Sequence, residues 1–297
     1  MQPKIKMRHR ELIWAFAFLI PALVLFCLFV FYPLLRSAVF AFTNWRSDGL
    51  PWKFIGFSNF IRMFSDSSVK AGIFNTLKFA LFTTVISNLF NLLLALVLDS
   101  SLRVRTFLRT AFFIPSLVSA TIVAASFKSI LQYNGVLNEL LRAIGLGSLT
   151  TDFFTNASAA MPVYMGLNVW QYIGYGAVIY LAGLQNISPE YYEAAKLDGA
   201  NRLQSFSRIT LPLLMPSITI MTFVCLVGGL KFFDLAFILP LGGTAQASQT
   251  VSAAIYQTAY KNGLPGYAMA ISLVFFLVIA VITFFQLRFT RKREVEM

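Results

Sequence analysis

The sequence predicts an all-α integral membrane protein with six transmembrane helices and both termini in the cytoplasm. Three observations carry this expectation. Of 297 residues, 58% are hydrophobic and only 12% are charged, whereas a soluble domain has about 25% charged residues. So few charges cannot cover a surface that faces water. Six stretches free of Asp, Glu, Lys and Arg (Leu12 to Leu35, Phe79 to Leu98, Thr110 to Phe127, Phe153 to Pro189, Ile209 to Leu230 and Asn262 to Leu287) have the length that a hydrocarbon core asks of a helix, about 20 residues. Their apolar residues run continuously, whereas barrel strands alternate over segments of about 10 residues.

The elements follow in order. The first span, about residues 12–35, comes after a basic tail and looks in outline like a secretory leader. Its apolar run exceeds the roughly 7–15 residues of a leader core, and no small-x-small site follows closely, so it reads as a retained helix. The outer loop to about residue 72 is polar and aromatic, with Phe42-Thr43-Asn44-Trp45 and Phe54-Ile55-Gly56-Phe57-Ser58-Asn59-Phe60. The second and third spans cover about 73–98 and 110–131. After them come a short helix over Val136 to Ile144, with Gly145 as its C-cap, and an Asn156-Ala157-Ser158 triplet that fits a glycosylation acceptor but arises easily by chance. The fourth span, about 159–184, is unusually polar, and the fifth covers about 212–238. The uncharged run from Leu235 to Tyr260 is polar in its middle, through Gly242-Gly243-Thr244 and Gln246 to Thr250, and reads as a loop. The sixth span covers about 266–289. No repeat or linker divides the chain, so residues 1–297 read as one membrane domain.

A formal net charge of +12 could suggest nucleic acid, but its distribution argues for topology. Lys4, Lys6, Arg8 and Arg10, then Arg103, Arg105 and Arg109, then Lys196, Arg202 and Arg208, then Arg288, Arg291, Lys292 and Arg293 lie on one side. The other side holds Arg36, Arg46, Lys53, Arg62, Lys70, Arg142 and Lys261 over a longer stretch, at roughly a third of the density. This is the positive-inside bias, and it places both termini and the loop at 186–211 in the cytoplasm. Cys27 and Cys225 both fall inside spans, where isolated cysteines behave as small hydrophobes. One His, no cluster of Cys and His, and no Gly-x-x-x-x-Gly-Lys-Ser/Thr leave no footing for an enzyme, a metal or an ATP phosphate cradle.

The loop at 186–211 carries its own helix signals. Ser188 can cap a helix with Pro189 at its first position, and Glu190 falls in the first turn, favoured by the dipole. Gly199 stops that helix. Asn201 with Gln204 makes a second capping signal of the box type, so two short helices joined at Gly199 are expected. Ala194 and Ala195 would let a partner approach closely, and Glu193 would offer it an acidic contact; a solvated helix with no partner accounts for the same residues.

Two sets of polar residues lie within the spans. Asn168, Tyr172 and Tyr175 recur at i, i+4 and i+7 and share a helix face, with Gln171 beside them. Amides, hydroxyls and aromatic rings suit a sugar's hydroxyls and its apolar face, while interhelical hydrogen bonding is the other use of such side chains. Lys231 and Asp234 stand at i, i+3. Lys231 lies nineteen residues past Pro212, about 28 Å of helix, near the outer interface, where a Lys can snorkel. A structural or gating pair and a proton relay are both open.

The spacing Glu193-Ala194-Ala195, three residues, Gly199, nine residues, Ile209, one residue, Leu211-Pro212 resembles the EAA loop of ABC importer permeases at every signature position. Phe-x-Gly-x-x-Asn-Phe in the first outer loop, the Asn75-Thr76-Leu77 exit and Leu230-Lys231-Phe232-Phe233-Asp234 resemble the maltose-type carbohydrate permeases. The resemblance covers essentially the whole chain and implies a type I importer fold in a bacterial or archaeal plasma membrane. It also implies that Glu193, Ala194, Ala195, Asp198 and Gly199 couple to an ATPase dimer holding ATP and Mg. A second homologous permease, an extracytoplasmic solute-binding protein and a carbohydrate substrate complete the implied system. By the same resemblance, Asn168, Tyr172, Tyr175 and Ser116 (in Pro115-Ser116) fall at substrate-contact positions. Tyr172 stands where the family has Gly, and the contacts of helix five fall on Val224, Val227 and Gly228, which are apolar or small. An ion-coupled secondary transporter using Lys231 and Asp234 is the alternative.

Overall fold

The computed structural model of the chain describes residues 9–100, 102–243 and 247–294. Lys4, Lys6 and Arg8 of the basic tail and Thr244 and Gln246 of the long outer loop lie outside the described residues. No strand occurs among the described residues; an isolated bridge pairs Thr43 with Phe54.

Helix α1 (His9–Phe26) passes through a π-helical turn (Cys27–Phe31) into α2 (Tyr32–Phe40). After the short α3 (Ser58–Met63), α4 (Ser67–Asp99) starts at Asp66, whose carboxylate accepts from the N–H groups of Ser68 and Val69. Next come α5 (Arg105–Leu117), α6 (Ala120–Ile130), α7 (Val136–Ala143) and α8 (Ala157–Gln185). The polar loop forms α9 (Pro189–Leu197), α10 (Arg202–Ser205), a π turn (Phe206–Thr210) and α11 (Leu211–Leu213). Finally α12 (Met215–Leu230), α13 (Asp234–Ile238), α14 (Val251–Tyr256) and α15 (Pro265–Arg291) complete the chain.

The described chain divides into two compact units, one formed by residues 1–65 and 255–274 and the other by residues 66–254 and 275–297. In the first, the Phe-x-Gly-x-x-Asn-Phe stretch explains itself. Gly56 takes φ +59°, a conformation that costs a glycine little. Asn59 is buried, and its amide donates to the carbonyls of Ala41 and Thr43, both at 2.8 Å. Phe42 packs against Phe54, Phe57 and Phe60 with ring centroids at 6.2, 5.4 and 4.9 Å. Arg62 lies over the ring of Tyr267.

In the second unit, α4, α5, α8 and α12 form the core. Small residues let their backbones meet, as membrane helices require. A β-carbon on Gly174 would overlap the Phe112 carbonyl, one on Gly176 would overlap the Asn91 amide, and one on Gly229 would come within 2.7 Å of the Ala80 Cα.

Several expectations are corrected. The third span is not one helix: α5 and α6 meet at 96°, with Val118 and Ser119 in extended conformation between them and Ser119 capping α6. The fifth span is interrupted at residues 231–233, so Lys231 caps the end of α12 and Asp234 opens α13. The stretch read as a loop up to Tyr260 contains α14 and a π turn (Gln257–Lys261); Thr250 Oγ1 accepts from the Ala253 N–H, and Val251, Ala253 and Ala254 are buried. Among the described residues, four helical stretches are long and apolar enough to cross a membrane (Phe16–Phe40, Ser67–Asp99, Met215–Ile238 and Pro265–Arg291), or five with the bent pair α5 and α6. Helix α8 has 29 residues and ample length; its amides, glycines and hydroxyls keep it out of that set.

Candidate functional site: a polar cavity at two helix breaks, and a capped loop

Breaking a helix inside a membrane frees backbone groups, which is tolerated only where protein or a cavity receives them. The break between α5 and α6 leaves the Val118 carbonyl without a helical partner. The buried Gln171 of α8 donates its Nε2 to that oxygen at 2.9 Å. The break between α12 and α13 is held by Phe232, which stacks on Phe79 at a centroid distance of 3.9 Å and leans on Tyr164. Beyond it, the Tyr164 hydroxyl donates to the Leu239 carbonyl and accepts from the Leu241 N–H.

Between these two breaks lies a cavity of about 450 Å³, within the usual range of about 300–1,000 Å³ for small-molecule sites. Asn168, Gln171, Tyr172 and Tyr175 of α8 and Ser116 of α5 all line it. Tyr172 and Tyr175 stay partly open, while Gln171 is buried with its Oε1 lacking any hydrogen-bond partner. Ser116 donates its hydroxyl to the Phe113 carbonyl at 2.7 Å, which leaves its oxygen lone pairs available. Val224 and Gly228 of α12 also line the cavity. Lys231 and Asp234 stand at its wall, but they make no ion pair with each other; the helix ends between them, so the i, i+3 relation is lost. Among the described residues they are the only charged groups on that wall, and they are of opposite sign.

Sequence reasoning missed one wall. Thr83, Ser87 and Asn91 of α4 also line the cavity. Their spacing of four residues inside an apolar span was the available signal.

The capped loop is built by its own residues. Ser188 accepts from the Glu190 N–H. At the other end of α9, the Ala200 N–H reaches the Ala195 carbonyl at 2.9 Å and the Gly199 N–H reaches that of Lys196 at 3.2 Å. This double closure requires a left-handed residue, and Gly199 supplies it at φ +77°. Asn201 and Gln204 exchange side-chain and backbone bonds at 2.8 and 2.9 Å, a full capping box. Glu193, Ala194, Asp198 and Gly199 face outward, whereas Ala195 is buried against its own chain. Two further residues stand out beside them: Leu197 is 90% exposed and Leu203 75%. The signal for these was their position as apolar residues in a charged loop.

A polar cavity at helix breaks, together with a capped polar loop between apolar helices, fits a membrane transport component. Residues 87–295 match the binding-protein-dependent transport system inner membrane component family, and the chain belongs to that family. It is an ABC importer permease of type I fold in the inner membrane, and a transport component rather than an enzyme. The probable ABC transporter permease protein YurN of Bacillus subtilis (strain 168) is 34% identical over 98% of this chain and 100% of its own length. The multiple sugar-binding transport system permease protein MsmF of Streptococcus mutans is 31% identical, covering 95% of this chain and 97% of itself. The crystal structure of a bacterial ABC transporter involved in the import of the acidic polysaccharide alginate superimposes with a TM-score of 0.83 at 28% identity, over 94% of this chain and 95% of that one. Nothing in the family or the fold supports the ion-coupled alternative.

Proposed function

We propose that this chain forms half of the translocation pathway of an ATP-driven importer for a neutral sugar or oligosaccharide. In this reading it crosses the membrane six times, with both ends cytoplasmic, and spans one domain over residues 1–297. The observation that carries the substrate class is the cavity wall: amides, hydroxyls and two tyrosine rings, with the single Lys and single Asp offsetting each other. Permeases of sugar systems among its relatives agree with that class.

The loop at 186–211 is the coupling element. Glu193, Ala194, Asp198 and Gly199 present the contact to an ATPase dimer that binds ATP and Mg, and Ala195 sets the helix against the permease. Leu197 and Leu203 add apolar surface that a water-facing loop would not otherwise keep exposed. A second homologous permease completes the path, and an extracytoplasmic solute-binding protein delivers the solute. Lys231 and Asp234 serve as a gate or structural element at the cavity wall.

The test is uptake by the reconstituted importer, with both permeases, the ATPase and the binding protein in proteoliposomes. ATP-dependent accumulation of a neutral di- or trisaccharide is expected, and none without the binding protein. Import of an anionic or amino-acid solute with no response to neutral saccharides would overturn the substrate class.

A further inference from the structure

The cavity has polar groups on a helix that no resemblance points to. Thr83, Ser87 and Asn91 follow one another at four-residue steps on α4, so they lie on one face and extend over about 12 Å of helix. All three are buried and all three line the cavity. Each has hydrogen-bonding capacity to spare. The Ser87 hydroxyl makes no bond among the described residues. Thr83 donates to the Phe79 carbonyl at 2.8 Å, which leaves its lone pairs free. The Asn91 Oδ1 is buried with no partner, and its amide sits where Gly176 of α8 leaves room for it.

A buried acceptor without a donor is costly to keep. Thr84 Oγ1 is buried and unpartnered as well, so what sets Asn91 apart is its place on the cavity wall in register with Ser87 and Thr83. On the facing helix α12 the wall includes Val224 and Gly228, which offer no polar side chain.

We propose that Thr83, Ser87 and Asn91 form a second hydrogen-bonding wall of the solute path, supplied by α4 beside the polar face of α8, and help to set which hydroxyl stereochemistry passes. The ladder's groups are neutral donors and acceptors of the kind that match sugar hydroxyls one for one. This inference rests on the saccharide reading of the same cavity.

The experiment uses the complete reconstituted importer at saturating binding protein, so that affinity of the delivery step does not mask the permease. Maximal uptake rates are measured for maltose, cellobiose, lactose and melibiose, and the ratio between the two fastest is followed. The variants are T83V, S87A and N91A, singly and together. T84V is the control, on a neighbouring buried threonine that does not line the cavity. The triple variant should lower maximal uptake by roughly three- to tenfold, the effect of one or two lost hydrogen bonds, and shift the ratio at least about threefold. T84V should leave the ratio unchanged.

A triple variant with the wild-type ratio would overturn the ladder while leaving the saccharide reading intact. Absence of uptake of every sugar by the wild type would overturn the saccharide reading and this inference with it. If the triple variant fails to co-purify with its ATPase, S87A decides the matter by the same ratio, because it removes a hydroxyl that no protein group uses.

Discussion

At the scale of single residues, the structure separates side chains that hold the protein together from those that are spare. Asn59 spends its amide on two backbone carbonyls in a buried position. Replacing it by Ala would leave both oxygens unpaired, and a buried group left unsatisfied costs about 1–3 kcal/mol. N59A is therefore expected to lower thermal stability in detergent by several degrees, with the correctly inserted fraction reduced; an unchanged melting curve would show that water replaces the amide. Tyr175 is the opposite case. It lines the cavity and remains partly open, so Y175A is expected to cut uptake several-fold with complex assembly intact. Wild-type uptake by Y175A combined with N168A would return α8's polar face to helix packing. Gln171 does both jobs, since its Nε2 closes the backbone break while its Oε1 is spare.

At the scale of elements, legibility in the sequence followed how local the cause was. The helix at Val136, the cap at Ser188, the stop at Gly199 and the box at Asn201 depend on residues within a turn of each other, and all four were readable. The break at Val118 is closed by Gln171, which is distant in sequence, and it falls inside a charge-free run that gives no sign of it. The break at residues 231–233 begins where the charge-free run ends at Leu230, and its partners Phe79 and Tyr164 are distant in sequence. The cavity was half legible for the same reason: α8's polar face is dense enough to notice, whereas α4's three polar side chains are diluted among apolar ones. The capped loop yields a sharper expectation. Gly199 stands at φ +77°, where a residue with a β-carbon pays roughly 1–2 kcal/mol, and no neighbouring atom crowds it. G199V should therefore distort the turn alone, leaving the membrane region inserted. Glu193, exposed and unpaired in the isolated chain, is expected to meet a basic group, and breaking a buried interfacial charge pair typically costs about 2–5 kcal/mol. E193K and G199V should each reduce co-purification of the ATPase and solute-stimulated ATP hydrolysis by tenfold or more. Full retention of both by both variants would remove the coupling role from this loop.

For the whole molecule, the number of membrane crossings decides which side the capped loop faces. Four stretches qualify on length and apolarity alone, and the remaining two, the bent pair α5/α6 and the polar α8, contribute Ser116, Asn168, Gln171, Tyr172 and Tyr175 to the cavity wall. That is the expected place for the signal to weaken, because a helix that lines a polar path gives up apolar residues and a helix that breaks there gives up length. If both cross, the loop at 186–211 returns to the side of the N-terminus, along with the basic segments around residue 105 and residue 291 that mark the cytoplasm. If the bent pair instead dips in and leaves on its side of entry, the segment at Ser148 becomes cytoplasmic and the capped loop is thrown to the outside, away from any ATPase. The two arrangements separate in one experiment. In a background with Cys27 and Cys225 replaced by Ser, single cysteines are placed at Ser58, Ser148 and Ser207, all exposed. A membrane-impermeant maleimide should label positions 58 and 148 in intact cells and position 207 only after the membrane is opened. Protection of position 148 and labelling of position 207 in intact cells would eliminate the bent pair as a crossing and the coupling role of the loop with it, whereas labelling of positions 148 and 207 from one side would eliminate α8 as a crossing.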